Sequence, residues 1–504
     1  MKRQDSWLQR AEAALTTRKF WWFVLALLVL QAAWIALSGR YPMAFDEDFH
    51  FGIIKLYAHH ISPFWSHQPE NADMFGAVAR DPSYLYQYLM SFPYRLLKLV
   101  TSDQTIIVVV LRFINIGFFA AGLVLFRRLL LKTRISPALV SLSLLIFVLL
   151  PIVPLLAAQI NYDNLLLPLV ALALLLTFRF DTALNAKRFD VLSLLQLLVV
   201  GLLASLVKYA FLPIFVAITG FIIVRLWQKK RAIGSLWPNL KRGWQLIGRG
   251  AQIGLVIGVI VAGGLFVQRI GYNVLRYHSP APDCSKILSV ETCKEYGPWI
   301  RDYNFKLNKV TNANNPLVYT GDWFYGMWLR TFFALGGPET TFETRGPLLL
   351  PGIGAIILAA SGTVAFALSA KQVMKRYNRP VLWLLLVVAI TYTGFLWIDE
   401  FLAYLETGQP VAINGRYLLP VLLPLILLMV TAVAWLTRQR PRLQLGIMTV
   451  AILSLAWGGG VLTFILRSND NWYWNNPVVR SANHTVQRVI GPLVPGYRDP
   501  IQFL

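Results

Sequence analysis

Asp46, Glu47 and Asp48 occupy consecutive positions in the run Ala44-Phe45-Asp46-Glu47-Asp48-Phe49-His50-Phe51-Gly52, with His50 four residues beyond Asp46. If the run is helical, Asp46 and His50 share a face and Glu47 points about 100° away. A carboxylate that is partly desolvated and next to another acid has its pKa raised, which suits it to take a proton from an acceptor hydroxyl or amine. The same acids would also complement the dipole at the start of a helix, and the sequence weighs catalysis and capping evenly. Asp-Glu-x-x-His lacks the first histidine of a zinc-protease helix, because Asp46 stands in its place, so that chemistry is set aside.

Two cations are out of place among apolar residues. Lys208 lies in Ala204-Ser205-Leu206-Val207-Lys208-Tyr209-Ala210-Phe211-Leu212-Pro213, and Arg416 in Asn414-Gly415-Arg416-Tyr417-Leu418-Leu419-Pro420. Either could bind an anionic headgroup, and arginine suits bidentate contact with phosphate. Snorkelling to the membrane surface is the plainer account of Lys208 taken alone. Asp163, in Gln159-Ile160-Asn161-Tyr162-Asp163-Asn164, reads first as a helix cap and second as a group facing the same cavity. In Arg80-Asp81-Pro82-Ser83-Tyr84, Asp81 or Ser83 reads as an N-terminal cap with Pro82 in the first turn. Arg112 and Asn115 are polar residues within an apolar segment and are expected to face the bundle or lie near an interface.

What must position these groups is a membrane bundle. The 504 residues are 56% hydrophobic and only 14% charged, where a soluble domain carries roughly 25% charged residues. Apolar segments at about 20–39, 104–126, 137–157, 163–178, 190–206, 209–225, 251–269, 346–369, 380–398, 417–437 and 443–466 make about eleven spans, each near the ~20 residues a bilayer requires. The first segment is long enough to span and no small-residue cleavage site follows it, so no cleaved signal is expected. The net charge of +23 does not point to nucleic acid. Its basic clusters, among them Arg127/Arg128/Lys132/Arg134, Arg179/Lys187/Arg188 and Lys229/Lys230/Arg231, fall in alternate loops. That is the positive-inside pattern, with the N-terminus cytoplasmic and the C-terminus outside.

The chain therefore reads as one membrane-embedded domain, 1–504, with two large outer loops, about 40–103 and 270–345, and an outer tail, 468–504. Ser83 to Leu99, Phe51 to Ile61 and the aromatic stretch Asp322 to Arg330 read as interfacial helices. Cys284 and Cys293 fall in the second outer loop, on the oxidising side, and are expected to form a structural disulfide. The sequon Asn483-His484-Thr485 lies in the outer tail. No internal repeat or matched pair of interrupted spans points to an inverted-repeat transporter.

The residues quoted above resemble the GT-C superfamily of membrane glycosyltransferases, closest to the bacterial family called domain of unknown function 2142. The likeness rests on Asp46-Glu47-x-x-His50 after the first span, Asn161-Tyr162-Asp163 heading the fourth and Lys208 between the fifth and sixth. Trp328-Leu329-Arg330 to Gly336-Gly337 and Gly415-Arg416-Tyr417-Leu418-Leu419-Pro420 complete it. Phe45-Asp46-Glu47 with His50-Phe51-Gly52 also looks like the start of protein O-mannosyltransferases, with one extra residue before the histidine. The resemblance implies an all-α polytopic fold and a polyprenyl-phosphate sugar as donor, with a glycan, lipid or protein as acceptor. It makes Asp46 the base and Glu47 a supporting acid, with Lys208 and Arg416 as donor-phosphate ligands. His50, Arg80, Tyr84, Asp163 and Arg330 are candidates for acceptor binding or support. Members of the superfamily differ in whether they use a divalent cation, and three adjacent acids do not decide it. The competing reading is a transporter or flippase of lipid-linked sugars, which should show ionisable groups along a path across the bilayer.

Overall fold

A computed structural model of the chain describes residues 2–43, 46–233, 235–309, 315–332, 350–377, 379–495 and 497. The protein is all-α, with no strand among the described residues. The first part comprises α1 (Lys2–Thr16), α2 (Arg18–Ser38), α3 (Glu47–Ala58), α4 (Leu85–Val100), α5 (Gln104–Leu130), α6 (Pro137–Leu149), α7 (Ile152–Ala157) and α8 (Asp163–Asn185). Then follow α9 (Val191–Val207), α10 (Leu212–Ile233), α11 (Leu236–Gln245), α12 (Arg249–Phe266), α13 (Tyr272–Tyr277), α14 (Val290–Cys293), α15 (Gly297–Leu307) and α16 (Pro316–Phe332). The last are α17 (Leu350–Tyr377), α18 (Pro380–Thr407), α19 (Leu419–Leu436), α20 (Pro441–Gly458), α21 (Gly460–Arg467) and α22 (Pro477–Ile490).

Among the described residues, nine helices are long and apolar enough to cross a membrane. Of the expected spans, 137–157 and 190–206 do not reach that length: they are α6, of 13 residues, and α9, of 17. Pro151 marks the break after α6, since proline has no N–H with which to continue the helix, and the chain resumes as α7. A second break falls between α20 and α21, where Gly460 takes φ +57 and a Cβ on Gly459 would lie 2.3 Å from the Leu149 carbonyl oxygen. Gln31 of α2 joins the two breaks. Its amide donates to the Val148 carbonyl (3.2 Å) and accepts from the Val461 N–H (3.0 Å), satisfying backbone groups the interrupted helices leave open.

α5 packs along α8, α8 along α9, and α17 along α19. Leu28 and Ile35 of α2, Phe119 and Leu123 of α5, Val170 and Leu174 of α8 and Leu423 and Leu427 of α19 are buried in one continuous core. α12 is different: it is apolar throughout yet buries only Leu255 and Ala262, as a helix facing lipid on most sides would. A π turn at Val267–Gly271 carries this helix into α13, so helical chain runs to Tyr277 rather than stopping near 269.

Helices stand where interfacial ones were expected, with shifted limits. α3 begins at Glu47, so the acidic run lies at its start, and α16 is longer than the aromatic stretch that pointed to it. The caps also differ from expectation. α4 has no side-chain cap; instead Asp81 Oδ1 accepts from the Ser83 N–H at 2.8 Å, and Ser83 Oγ accepts from the Tyr209 N–H at 3.0 Å. The tail returns to the end of α2, where the Arg40 N–H donates to the Trp472 carbonyl and the Trp474 N–H to the Ser38 carbonyl. Asn483 of the sequon is buried, its side-chain oxygen accepting from the Trp34 indole at 2.9 Å, so the fold does not present it for glycosylation.

Candidate active site

The C-terminal ends of α2 and α9 and the N-terminal ends of α5, α8 and α19 lie at one end of the bundle, and the polar side chains singled out above meet there. Asp46 precedes α3 with φ 64 and ψ 32, a left-handed conformation costing a non-glycine residue about 1–2 kcal/mol. Its backbone carbonyl accepts the first helical bond, from the His50 N–H, while its side chain makes no capping bond. The carboxylate is therefore available for other contacts, and Oδ2 accepts from Arg416 Nη2 at 2.5 Å. The Asp46 side chain is 46% exposed and that of Arg416 7%. Ala44 and Phe45 lie outside the described residues. Burial alone would raise the Asp46 carboxyl, but the charge and hydrogen bond of Arg416, aided by Lys208, hold it below the usual carboxylate range.

Glu47 has a different environment. It is fully buried and meets Arg112 through two bonds, Nε to Oε1 at 2.8 Å and Nη2 to Oε2 at 2.7 Å. The Met43 and Ile160 N–H groups donate to the same carboxylate at 2.8 and 3.2 Å. Arg112 Nη1 donates to the Ala36 and Gly39 carbonyls, so the pair ties the end of α2 to α5 and to the turn before α8. Asp48 is exposed.

Lys208 and Asp163 form a second pair, Nζ to Oδ1 at 2.7 Å, with both side chains buried. Asp163 is not the expected cap. That place belongs to Asn161, whose Oδ1 accepts from the Asp163 N–H at 2.9 Å. Asp163 Oδ2 is buried with no hydrogen-bond partner among the described residues. Lys208 Nζ lies 4.5 Å from the Tyr162 ring and 5.2 Å from that of Tyr417, and the Arg416 guanidinium lies 5.1 Å from the same Tyr417 ring. Asp46, Lys208 and Arg416 share one site. Tyr162 and Tyr417 complete it; both stood inside motifs already quoted, but neither carries a charge to single it out.

His50 closes the cluster from below. It is buried, with its ring edge-on to Tyr162 at 4.4 Å. Gln87 satisfies its neighbours when its oxygen accepts from His50 Nδ1 (3.1 Å) and its nitrogen donates to the Ser83 and Tyr84 carbonyls. That fixes the proton on Nδ1 and leaves Nε2 with its lone pair. Burial, with Arg416 and Lys208 nearby, outweighs Asp46 and pushes the imidazole down to about 3, so it is neutral at physiological pH.

The remaining candidates hold the surrounding loops. Arg330 Nη1 donates to the Ile413 carbonyl just before the Arg416 turn. There Gly415 lets α16 come close: a Cβ would lie 2.0 Å from Thr331 Oγ1 and 2.5 Å from the Thr331 nitrogen. Gly336 and Gly337 of the same motif lie outside the described residues. Arg80 sits on the Tyr272 ring at 4.2 Å. Tyr84 lies under Arg269, 4.3 Å from its guanidinium. Arg269, which sequence reasoning missed, is buried and donates to the Val78, Asp81 and Pro63 carbonyls, pinning the loop between α3 and α4. Cys284 and Cys293 are bridged. The bridged segment packs on the Asp73–Phe75 turn, and Tyr296 reaches Phe49 and Gly76 beside the acidic run.

With Asp46 and Asp163 each committed to a cation, no group of three or more His, Cys, Asp or Glu side chains among the described residues could hold a metal ion. No family model matches the chain, and no curated protein matches it. A solved structure that overlays on it is an archaeal oligosaccharyltransferase, AglB from Archaeoglobus fulgidus, in complex with an inhibitory peptide and a dolichol-phosphate. The overlay has a TM-score of 0.42 at 12% identity and covers 94% of this chain and 60% of that one. So distant a likeness leaves the chemistry to be argued from the site itself.

Proposed function

We propose that the protein is an integral-membrane glycosyltransferase of the GT-C kind. It moves one sugar, with inversion, from a polyprenyl-phosphate donor to a glycan, lipid or protein acceptor at the extracytoplasmic face. The observation that carries this reading is the meeting of Asp46, Lys208 and Arg416, from three distant parts of the chain, around Tyr417 at one end of the bundle.

In this reading Asp46 takes the proton from the acceptor hydroxyl as its oxygen bonds to the anomeric carbon. The bond from that carbon to the donor phosphate oxygen breaks, and the electron pair leaves with the lipid phosphate. Arg416 and Lys208 stabilise the charge that grows there. Without donor, Arg416 keeps Asp46 ionised but weakly basic. A seated phosphate draws the Arg416 charge to itself, so Asp46 gains basicity when there is a sugar to transfer. Glu47 and Arg112 take no proton in this scheme; they hold the end of α2 from which Asp46 is presented. The ion pairs at this end of the bundle favour a one-sided site over a transport path.

The test is a transfer assay on the purified protein with a panel of polyprenyl-phosphate sugars. Arg416→Ala is expected to raise the apparent donor KM about tenfold or more, with a smaller change for the acceptor. An unchanged donor KM would remove the phosphate role.

A further inference from the structure

At the other end of the helices, a cavity of about 870 Å³ opens between α5, α8, α9, the end of α11 and the start of α12. Arg128, Lys132, Arg179 and Arg188 line it, against a single acid, Asp190. Arg179 meets Asp190 at 3.4 Å, while the side chains of Arg128, Lys132 and Arg188 pair with no acid among the described residues. Asp190 is already occupied by the N–H and hydroxyl of Ser193. Along α5 and α8 away from the cations the walls are apolar, with Leu125, Leu172 and Leu176 among them. At the margin Leu246 is 81% exposed, and Trp237, on the amphipathic α11 that leads to it, is 77% exposed. Exposed tryptophan and leucine beside a basic rim mark the depth where a bilayer surface would lie. Gly243 lets α11 close on the start of α9, since a Cβ there would lie 2.7 Å from the Phe189 carbonyl oxygen.

We propose that this cavity binds an anionic phospholipid. The phosphate sits among Arg128, Lys132 and Arg188, and an acyl chain runs down the leucine-lined wall. A ring of cations matches a phosphate, an apolar shaft matches a chain, and an anionic lipid offers both in one molecule. A soluble anion would leave the shaft empty, and a zwitterionic lipid would set its own cation against the rim. The proposal is independent of the chemistry assigned to Asp46, which lies at the far end of the same helices.

The experiment titrates the full-length protein in mild detergent with pyrene-labelled phosphatidylglycerol, reading energy transfer from tryptophan. Saturable binding is expected, with pyrene-labelled phosphatidylcholine binding at least tenfold more weakly. Each cation near a membrane surface contributes about fivefold in affinity, so Arg128→Gln/Arg188→Gln together should weaken binding about 30-fold. Leu176→Trp, which keeps the cations and fills the shaft, should also weaken it and serves if the double variant does not fold. Equal affinity for the two lipids, or unchanged binding in a folded variant, would overturn the proposal. So would full displacement by millimolar inorganic phosphate, which would mark a free-anion site, or binding replaced by self-association, which would mark a surface for a second copy.

Discussion

Three acid–base pairs stand within one cluster at the scale of single residues, and their burial separates their roles. Glu47 and Arg112 are both inaccessible and fully hydrogen-bonded, which is the condition of a pair that holds structure. Glu47→Gln should leave the Arg112 charge buried and unmatched, at about 3–5 kcal/mol, seen as loss of folded protein in thermal unfolding. Glu47→Gln combined with Arg112→Met should recover much of that stability. His50 makes a pH prediction. Its folded pKa of about 3 lies below the ordinary value near 6.5, so the unfolded chain binds the proton first as pH falls. Its contribution is complete above about pH 6.5 and is lost toward pH 3, at about 1.4 kcal/mol per pH unit. His50→Gln should flatten that part of the stability profile, measured by unfolding between pH 7 and 4. An unchanged slope would mean the imidazole is not held neutral. Asp46, with its carboxyl held low, has the same sign: its pairing with Arg416 stabilises above the ordinary carboxylate pKa and is lost as pH falls through the lowered one.

At the scale of elements, the site depends on close approaches that only small residues allow. Gly415→Ala drives a methyl into Thr331 and the Met327 carbonyl, so the turn carrying Arg416 must shift. A loss of about 1–3 kcal/mol in unfolding and a marked fall in transfer are expected, with donor affinity falling alongside. The long apolar runs made most membrane helices legible in the sequence, because a bilayer allows little else to cross it. The breaks at Pro151 and at Gly459-Gly460 were not, since their backbone groups are satisfied by Gln31 from a distant helix. Local reasoning also made Asp163 a cap because it heads a helix, while the neighbouring Asn161 does the capping and frees the carboxylate for Lys208. The left-handed backbone of Asp46 likewise has no sequence signal, yet it is what turns the side chain away from its own helix. Arg269, Tyr162 and Tyr417 act through partners far away in the chain, which neither periodicity nor spacing reveals.

At the scale of the whole molecule, one bundle presents two polar ends. One end gathers Asp46, Lys208, Arg416 and the disulfide-bearing loop that packs beside them; the other gathers the basic cavity. Replacing Cys284 and Cys293 with serine should lower stability by about 2–3 kcal/mol, read as a lower unfolding temperature in detergent. Transfer should remain measurable, because that loop contributes none of the three charges at the centre. If Asp46 accepts the proton in a glycosyl transfer, the transfer rate of Asp46→Asn with saturating polyprenyl-phosphate sugar and acceptor reports it. A fall of about 10²–10⁴-fold is expected in a protein that remains folded and inserted. A folded Asp46→Asn protein that transfers sugar at close to the unaltered rate would contradict it.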